Sequence, residues 1–326
     1  MTGTGRTRVV ILDFGSQYTH LIARRVRECG VYSEVLSFDS DPAEIAEGTG
    51  AIILSGGPSS IYDENAPRPD RAVYELGIPI LGICYGMQAM TEALGGEVSP
   101  GNTREYGPMG FNPENGHTLF RGVESGGKVW MSHGDEVTGP PPGFEVLGRS
   151  ADGKIASIGA DDRRLYGLQF HPEVVHTERG KQVLANYVHE ICGIPSNWTP
   201  ASFVEETVES IRRQVGDGRV VCALSGGVDS SVMSVLIHEA VGDRLIPIFV
   251  DNGVLRKNED REVIERLRDK LGLNVDIVDA RDRFLSKLAG VEDPERKRKI
   301  IGNEFIRVFE EEARRVGDVR FLAQGT

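Results

Sequence analysis

Cysteine is scarce in this sequence, and long apolar runs are absent from it. The four cysteines, Cys29, Cys84, Cys192 and Cys222, form no CxxC pair, which argues against a zinc ribbon or a redox dithiol. Few, widely spaced cysteines are typical of a reducing compartment. No run of about 18 apolar residues occurs, so no membrane-spanning helix is predicted. Residues 9–12 are too short a run for a signal-peptide core. We therefore expect a soluble, cytoplasmic protein.

Basic residues are also fewer than acidic residues. The sequence has 37 Lys and Arg against 49 Asp and Glu, for a formal net charge of −12. A net-acidic chain lacks the usual electrostatic footprint of a nucleic-acid-binding domain. We therefore expect small-molecule substrates and neither nucleic acid nor a membrane as a partner. The length of 326 residues predicts two domains, at roughly 100–200 residues per domain.

Short apolar runs alternate with helical patterns from residue 8 to about residue 194. The runs predicted as strands are residues 9–12, 31–36, 51–54 and 79–83. This βαβ rhythm indicates a parallel sheet with helices on both faces. Segments between residues 97 and 169 alternate in polarity and predict antiparallel additions at 128–131, 145–147 and 155–158.

The best linker candidate is residues 194–200, where Pro195 and Pro200 bracket polar residues. We therefore predict an α/β fold with two domains, residues 7–197 and 198–326, each an open, mostly parallel sheet flanked by helices. The second series of predicted strands is 220–224, 245–250, 274–278 and 319–323. Nothing follows the last strand that would close the sheet, so we expect a chain truncated at its C-terminus.

The first candidate site is Cys84, which lies in Gly82-Ile83-Cys84-Tyr85-Gly86 between an apolar strand and a predicted helix. Glycines on either side of a nucleophile permit the tight strand-to-helix turn of a nucleophile elbow. Such a turn puts the thiol at a helix N-terminus, where the dipole favours the thiolate and N–H groups can hold an oxyanion. The motif alone leaves a buried cysteine beside a packing turn equally open.

A histidine and a carboxylate follow the predicted strand 165–170, in His171-Pro172-Glu173. Residues i and i+2 of an extended segment point to the same side, so the two side chains can lie together. A thiol, an imidazole and a carboxylate make up a nucleophilic triad. A histidine near a strand end is more often structural, but the nearby carboxylate favours the triad.

Segments 82–88 and 169–173 together resemble the class I glutamine amidotransferases. The resemblance implies a flavodoxin-like fold and a Cys-His-Glu triad that releases ammonia from glutamine. The implied catalytic residues are Cys84, His171 and Glu173.

The same resemblance implies an oxyanion hole and a glutamine pocket. The implied oxyanion donors are Gly57, in a loop after a predicted strand, and the amide of Tyr85. The residues implied to hold glutamine are Gln88, Ser132 and Asp135. For the segment that contains the last two, an ordinary polar turn is the alternative.

The second candidate site is Ser225-Gly226-Gly227-Val228-Asp229-Ser230-Ser231, between a predicted strand and a predicted helix. Two glycines let the backbone close around an anion, and the helix N-terminus supplies free N–H groups. The loop lacks the GxxxxGK[ST] pattern of a Walker A motif. It resembles the pyrophosphate loop of the N-type ATP pyrophosphatases, which implies an adenine-nucleotide α-hydrolase-like fold. The residues implied to bind ATP are Ser225, Gly226, Gly227, Val228, Asp229, Ser230, Ser231 and Val250.

Two further features of the second half have alternative interpretations. Asp229 is a candidate Mg²⁺ ligand, because a magnesium–ATP site usually takes one or two carboxylates; capping of the following helix is equally open. Residues 296–299 are four successive cations. Such a run is usually a solvated helix face, but beside a phosphate loop we favour recognition of a substrate phosphate by arginine.

The two halves, in this order, resemble the family of glutamine-hydrolysing GMP synthases. Besides the two sites, the segments that carry the likeness are 12–18, 249–253, 297–302 and 323–326. The resemblance implies a ligase of purine (GMP) biosynthesis that converts XMP, ATP, glutamine and water to GMP, AMP, pyrophosphate and glutamate. It implies that Arg298 contacts XMP. Family members continue past Thr326 with the rest of the ATP domain and a dimerisation segment, so a homodimer is implied for the full-length protein.

Two alternatives stay open at this point. The same modules could amidate another substrate, as a glutamine-dependent NAD synthetase does. That family typically carries a nitrilase-type glutaminase, and the pattern of Cys84, His171 and Glu173 argues against it. The second alternative is a catalytically idle regulatory or binding fragment, which glutaminase measurements with and without Cys84 would distinguish from an enzyme.

Overall fold

The computed structural model describes residues 7–256 and 259–325. The chain divides into two compact units, one ending at Thr199 and the other beginning at Pro200. The domain boundary predicted between residues 197 and 198 lies two residues before this division. Thr326, the last residue of the predicted second domain, lies outside the described residues. None of the helices in the described ranges is long and apolar enough to cross a membrane.

The first unit is built on a nine-stranded sheet. Its strands are β1 (Arg8–Asp13), β2 (Ser33–Ser37), β3 (Thr49–Leu54), β4 (Ile80–Ile83), β5 (Glu97–Pro113), β6 (Gly127–Gly139), β7 (Glu145–Ser150), β8 (Ile155–Ala160) and β9 (Leu165–Leu168). Its helices are α1 (Thr19–Glu28), α2 (Pro42–Ala46), α3 (Tyr85–Ala93) and α4 (Gly180–Ala185), with short helical segments at Arg71–Glu75, Thr118–Phe120 and Asn186–Ile191.

The sheet of the first unit is half parallel and half antiparallel. Its strand order is β2-β1-β3-β4-β9-β8-β7-β5-β6. The five strands from β2 to β9 in this order pair in parallel. The strands β8, β7, β5 and β6 continue the sheet antiparallel. The parallel core and the antiparallel additions predicted from the sequence are both confirmed.

Both faces of the parallel part are buried. In β1, Val9 and Ile11 belong to one apolar core, and Val10 and Leu12 belong to the core on the opposite face. Strands that are buried on both faces are apolar at every position and do not alternate. This is why the parallel strands could be recognised as continuous apolar runs.

The second unit has a four-stranded sheet of order β12-β11-β10-β13, with all neighbours parallel. Its elements are α5 (Pro200–Val215), β10 (Arg219–Leu224), α6 (Val228–Val241), β11 (Leu245–Asp251), α7 (Glu259–Glu265), β12 (Asp276–Asp279), α8 (Arg281–Leu288), α9 (Pro294–Val316) and β13 (Val319–Gln324), with short helical segments at Gly242–Arg244 and Arg266–Lys270. Apolar cores lie on both faces of this sheet too. The predicted α/β class is therefore confirmed in both units.

Many of the candidate residues lie in or just after loops that leave the sheets at carboxyl ends of strands. In the first unit these loops follow β3, β4 and β9, which are neighbours in the parallel part of the sheet. In the second unit the loop follows β10. The carboxyl edge is where open α/β sheets bind their ligands.

Candidate active site and phosphate loop

Cys84 occupies a strained turn between β4 and α3. Its backbone has φ 52° and ψ −108°, a conformation that L-residues with a side chain rarely adopt and that often marks a functional site. A Cβ added to Gly82 would lie 2.6 Å from Met87 N, and one added to Gly86 would lie 2.5 Å from Leu54 O. Both glycines are therefore required by the close approach of the helix to the sheet.

His171 and Glu173 form a buried pair. His171 Nδ1 lies 2.7 Å from Glu173 Oε1, and the two residues are 4% and 0% exposed. The contact with Glu173 is made by Nδ1, so Nε2 is the ring nitrogen that Glu173 does not engage.

The expected reason for this pairing was wrong. β9 ends at Leu168, so residues 171–173 form a turn and not the extended strand that was predicted through residue 170. His171 N donates to Trp130 O of β6 at 3.0 Å, which takes the chain out of the β9 ladder. The two side chains meet across the turn.

The imidazole connects the thiol with the carboxylate. Burial lowers the pKa of His171, but hydrogen bonds and charge interactions with Cys84 and Glu173 together raise it by more, so its pKa lies well above the usual value. A Cβ placed on Gly56 would lie 2.9 Å from His171 Cε1 and 3.7 Å from Cys84 Cβ. The structure thus brings the three predicted triad residues together beside the loop that follows β3.

Of the residues expected to hold glutamine, Ser132 contacts Cys84, and Gln88 and Asp135 contact each other. The thiol Sγ lies 3.4 Å from Ser132 O, and Gln88 Nε2 donates to Asp135 O at 2.7 Å. Asp135 Oδ2 accepts a 2.6 Å hydrogen bond from Ser60 Oγ. Ser132 and Asp135 lie inside strand β6, so the alternative of an ordinary polar turn was wrong.

Two backbone amides are available as donors for an oxyanion. Tyr85 is the first residue of α3, where N–H groups have no partner inside the helix. Within the described ranges, the amides of Tyr85 and Gly57 donate to no protein acceptor. A Cβ added to Gly57 would lie 3.5 Å from the Tyr85 ring, so the two predicted donors belong to one neighbourhood.

Sequence reasoning missed several residues that hold this site. Ser60 anchors Asp135, and Gln169 Oε1 accepts from Gln88 Nε2 at 3.4 Å. Thr177 Oγ1 donates to His171 O at 2.5 Å and accepts from Trp130 N at 3.0 Å. These contacts join residues far apart in sequence, often through backbone atoms, and no local motif encodes them.

The loop after β10 closes on itself through its serines. Ser225 Oγ lies 3.0 Å from Ser230 Oγ, and Ser231 Oγ donates to Gly227 O at 2.7 Å. Gly226 has φ +76°, and a Cβ there would lie 2.6 Å from Val263 Cγ2. Gly227 is the N-cap of α6, so Val228 to Ser231 form the first helical turn. The helix N-terminus is thereby presented to an anion.

Asp229 is exposed in that first turn. The N-cap of α6 is Gly227, which is not assisted by any side-chain hydrogen bond, so the interpretation of Asp229 as the cap was wrong. The described parts of the chain contain no group of three or more His, Cys, Asp or Glu side chains that could hold a metal ion.

The other two predicted ligand contacts, Val250 and Arg298, lie on other elements than this loop. The Val250 side chain is buried in an apolar core, so only its backbone is available to a ligand. Arg298 lies on α9 with its side chain 79% exposed and paired to Glu295 at 2.8 Å. Over the described residues, no hydrogen bond or ion pair joins Arg298 to the loop after β10.

Comparison with known proteins assigns the first unit to a family. The model of the family described as "Glutamine amidotransferase class-I" matches residues 10–191, and a model described as "NAD synthase" matches residues 201–307. The first match covers more than half of the chain. The chain therefore belongs to the class I glutamine amidotransferase family.

Individual relatives are similar over nearly the whole chain. "GMP synthase [glutamine-hydrolyzing]" of Symbiobacterium thermophilum is 56% identical over 323 residues, 98% of this chain and 63% of the relative. The protein of the same name from Caldanaerobacter subterraneus is 52% identical over 325 residues, 99% of this chain and 64% of the relative. This chain thus spans less than two thirds of the length of these curated relatives.

A solved structure also resembles the chain. It is that of a Thermoplasma acidophilum protein described as one candidate subunit of GMP synthase. The two are 28% identical with a TM-score of 0.50, over 61% of this chain and 96% of that one.

The elbow yields a stability prediction. Gly86→Ala should lower the free energy of unfolding of the first unit by about 1–3 kcal/mol, because its Cβ would overlap a backbone carbonyl. Thermal or urea unfolding measures this. Gly134→Ala is the matched control, since its Cβ would meet nothing within 4 Å and its φ is not positive. Equal effects of the two substitutions would contradict the packing argument.

The raised pKa of His171 yields a pH prediction. Its folded-state pKa lies above the unfolded value of about 6.5, so the folded chain holds this proton more tightly. The resulting stabilisation is complete below about pH 6.5 and is lost as the pH rises through the folded-state pKa. Urea unfolding of the parent and of His171→Gln across this range should show a stability difference that shrinks with rising pH. The exposed His20→Gln variant should keep the parental dependence, and a constant difference for His171→Gln would refute the assignment.

Proposed function

We propose that the first unit hydrolyses glutamine, and that the whole protein uses the ammonia to amidate XMP to GMP with cleavage of ATP to AMP and pyrophosphate. The observation that carries the proposal is the contact of Cys84, His171 and Glu173 on a nucleophile elbow, in a chain at least 52% identical to the two GMP synthases over 98–99% of its length. The protein would then be a carbon–nitrogen ligase of purine biosynthesis.

Hydrolysis would begin at the thiol of Cys84. His171 takes the thiol proton, and the sulfur attacks the side-chain amide carbon of glutamine. The amides of Gly57 and Tyr85 hold the oxygen that becomes negative in the tetrahedral intermediate. The imidazolium returns its proton to the nitrogen, which leaves as ammonia. Water then cleaves the thioester, with His171 as its base, and releases glutamate.

The other residues around the thiol would hold the substrate. Oxygens of Ser132 and Asp135 suit the α-ammonium group of glutamine, because they are hydrogen-bond acceptors beside the nucleophile. Gln88 fixes the position of Asp135 O through the 2.7 Å hydrogen bond. Glu173 makes no bond to glutamine and keeps the His171 ring in the productive orientation.

The second unit would activate XMP. N–H groups at the start of α6, together with Ser225 to Ser231, would bind the pyrophosphate portion of ATP, and the backbone of Val250 would contact the nucleotide. Mg²⁺ bound with the ATP would neutralise phosphate charge, with Asp229 as its carboxylate ligand. An oxygen of XMP attacks the α-phosphorus, pyrophosphate leaves, and ammonia then displaces AMP. We assign Arg298 to XMP, and we place the full-length protein in the cytoplasm as a homodimer.

One observation favours a second candidate function. Residues 201–307 match the NAD synthase model, so a nicotinate-containing dinucleotide is an alternative acceptor. Against it stands the first unit, which is a class I amidotransferase, and the similarity of the whole chain to GMP synthases.

The two acceptors can be separated with the full-length protein. We expect ATP, Mg²⁺ and ammonia to give AMP, pyrophosphate and GMP when XMP is present, and no amidated product from nicotinic acid adenine dinucleotide. Chromatography measures the products. Amidation of the dinucleotide without any GMP would favour the second candidate and contradict the first.

The nucleophile is tested by substitution. Cys84→Ala should abolish release of glutamate from glutamine, because no other group can form the thioester, while ATP binding by the second unit is retained. Cys29→Ala is the matched control, since Cys29 is buried elsewhere in the same unit, and it should hydrolyse glutamine at nearly the parental rate. Parental hydrolysis by Cys84→Ala would refute the triad. An inactive parent would instead support the idle-fragment alternative.

A further inference from the structure

Two side chains of one helix contact the His171–Glu173 pair. We propose that Tyr18, at the N-cap of α1, and Arg25, two turns later, are positioning residues for this pair. The proposal rests on the proposed glutaminase function of Cys84. It adds helix α1 to the groups that determine the catalytic rate.

Arg25 anchors the main chain of Glu173. Its Nε donates to Glu173 O at 2.9 Å, across 148 residues of sequence. Its Nη1 is paired with Glu28 Oε2 at 2.8 Å within α1, and its side chain is only 20% exposed. The guanidinium is therefore held on its own helix while it holds Glu173.

This anchor matters because the Glu173 carboxylate has few other constraints. Its Oε1 bonds to His171, but its Oε2 is buried without a hydrogen-bond partner among the described residues. The main chain of His171 is fixed independently, by Trp130 O and by Thr177 Oγ1. Among the described hydrogen bonds, the one from Arg25 is therefore the side-chain contact that fixes the main chain of Glu173, from which its carboxylate extends.

Tyr18 restrains the other member of the pair. The centroids of its ring and of the His171 imidazole are 5.3 Å apart, at an interplanar angle of 72°. Its own backbone is fixed by a 3.0 Å hydrogen bond from its N to Ser16 Oγ. Residues 18 and 25 are i and i+7, so they lie on one face of the helix. One rigid element therefore contacts both the imidazole and the carboxylate residue.

The packing of α1 does not require either polar contact. Ile22, Ala23 and Val26 are buried in the apolar core and attach the helix to the sheet. Arg25→Met keeps an unbranched stem of similar length and removes the N–H donor. Tyr18→Phe keeps the ring and Tyr18→Ala removes it. These variants separate positioning from simple folding, and thermal unfolding verifies that each one is folded.

The test is the steady-state kinetics of glutamine hydrolysis. Arg25→Met and Tyr18→Ala should each lower kcat about 10-fold and leave KM within about twofold, because misplacement of the catalytic pair affects chemistry more than binding. Tyr18→Phe keeps the ring and should therefore retain the parental kcat. The matched control is Arg24→Met, because Arg24 also pairs with Glu28 but is 74% exposed and has no contact with Glu173 in the described structure.

The double variant Tyr18→Ala/Arg25→Met gives a second criterion. Both residues act on one His–Glu unit, so their effects should not be additive, and the double variant should resemble the worse single variant. Parental kcat in Arg25→Met, or an equal loss in Arg24→Met, would overturn the proposal for the arginine. A Tyr18→Phe variant as slow as Tyr18→Ala would overturn it for the tyrosine ring.

A measurement without turnover distinguishes this proposal from the proposed function. The rate of Cys84 alkylation by iodoacetamide is recorded against pH, with Cys84→Ala as the background. A misplaced imidazole stabilises the thiolate less, so the midpoint should move to higher pH in Arg25→Met and stay parental in Arg24→Met. An inactive parent would refute the glutaminase function, and the alkylation midpoints would still decide the positioning role. Parental midpoints in both arginine variants would refute that role.

Discussion

The close contact between the start of helix α3 and strand β3 is the constraint on which the first site depends. Gly86 N donates to Ser55 O at 3.1 Å, and an added Cβ on Gly86 would lie 2.5 Å from Leu54 O. At this separation the chain must reverse within the single residue Cys84, which takes an unfavourable positive φ. The buried strands on either side oppose relaxation of the turn. The same contact places the thiol beside the helix amides and beside the loop that contains Gly57.

Buried polar groups lie around this turn in the first unit. His171 and Glu173 are almost completely buried, where an unpaired charge would be costly. Burial lowers the pKa of His171, but its hydrogen bonds and charge interactions with Cys84 and Glu173 raise it above the usual value. The main chain of the pair is held in place by hydrogen bonds with Trp130 O, Thr177 Oγ1 and Arg25 Nε. This support holds the His171–Glu173 pair in one arrangement on the side of the sheet where Cys84 lies.

The second unit follows the same architectural rule with a different loop. Its loop also follows a buried parallel strand and also ends at a helix N-terminus, but glycine and serine take the place of the nucleophile. The positive φ of Gly226 lets the chain pass next to Val263. The serine hydroxyls bond within the loop and hold its backbone in this shape. In both units the carboxyl edge of a parallel sheet therefore presents a loop and a helix N-terminus, and the residues of the loop differ between the two units.

The sequence by itself determined the two sheets, the elbow and the glycine-rich turn after β10, because each depends on local patterns: apolar runs buried on both faces, and glycines where a Cβ has no room. It also indicated the pairing of His171 with Glu173, although for the wrong reason, since β9 ends at Leu168. Only the tertiary structure decided that Ser132 and Asp135 lie in a strand, that Gly227 and not Asp229 caps α6, and that Arg25 holds Glu173. These features depend on hydrogen bonds to backbone atoms tens of residues away or on where a strand stops. Such partners are chosen by the packing of the whole chain, and no local sequence pattern specifies them.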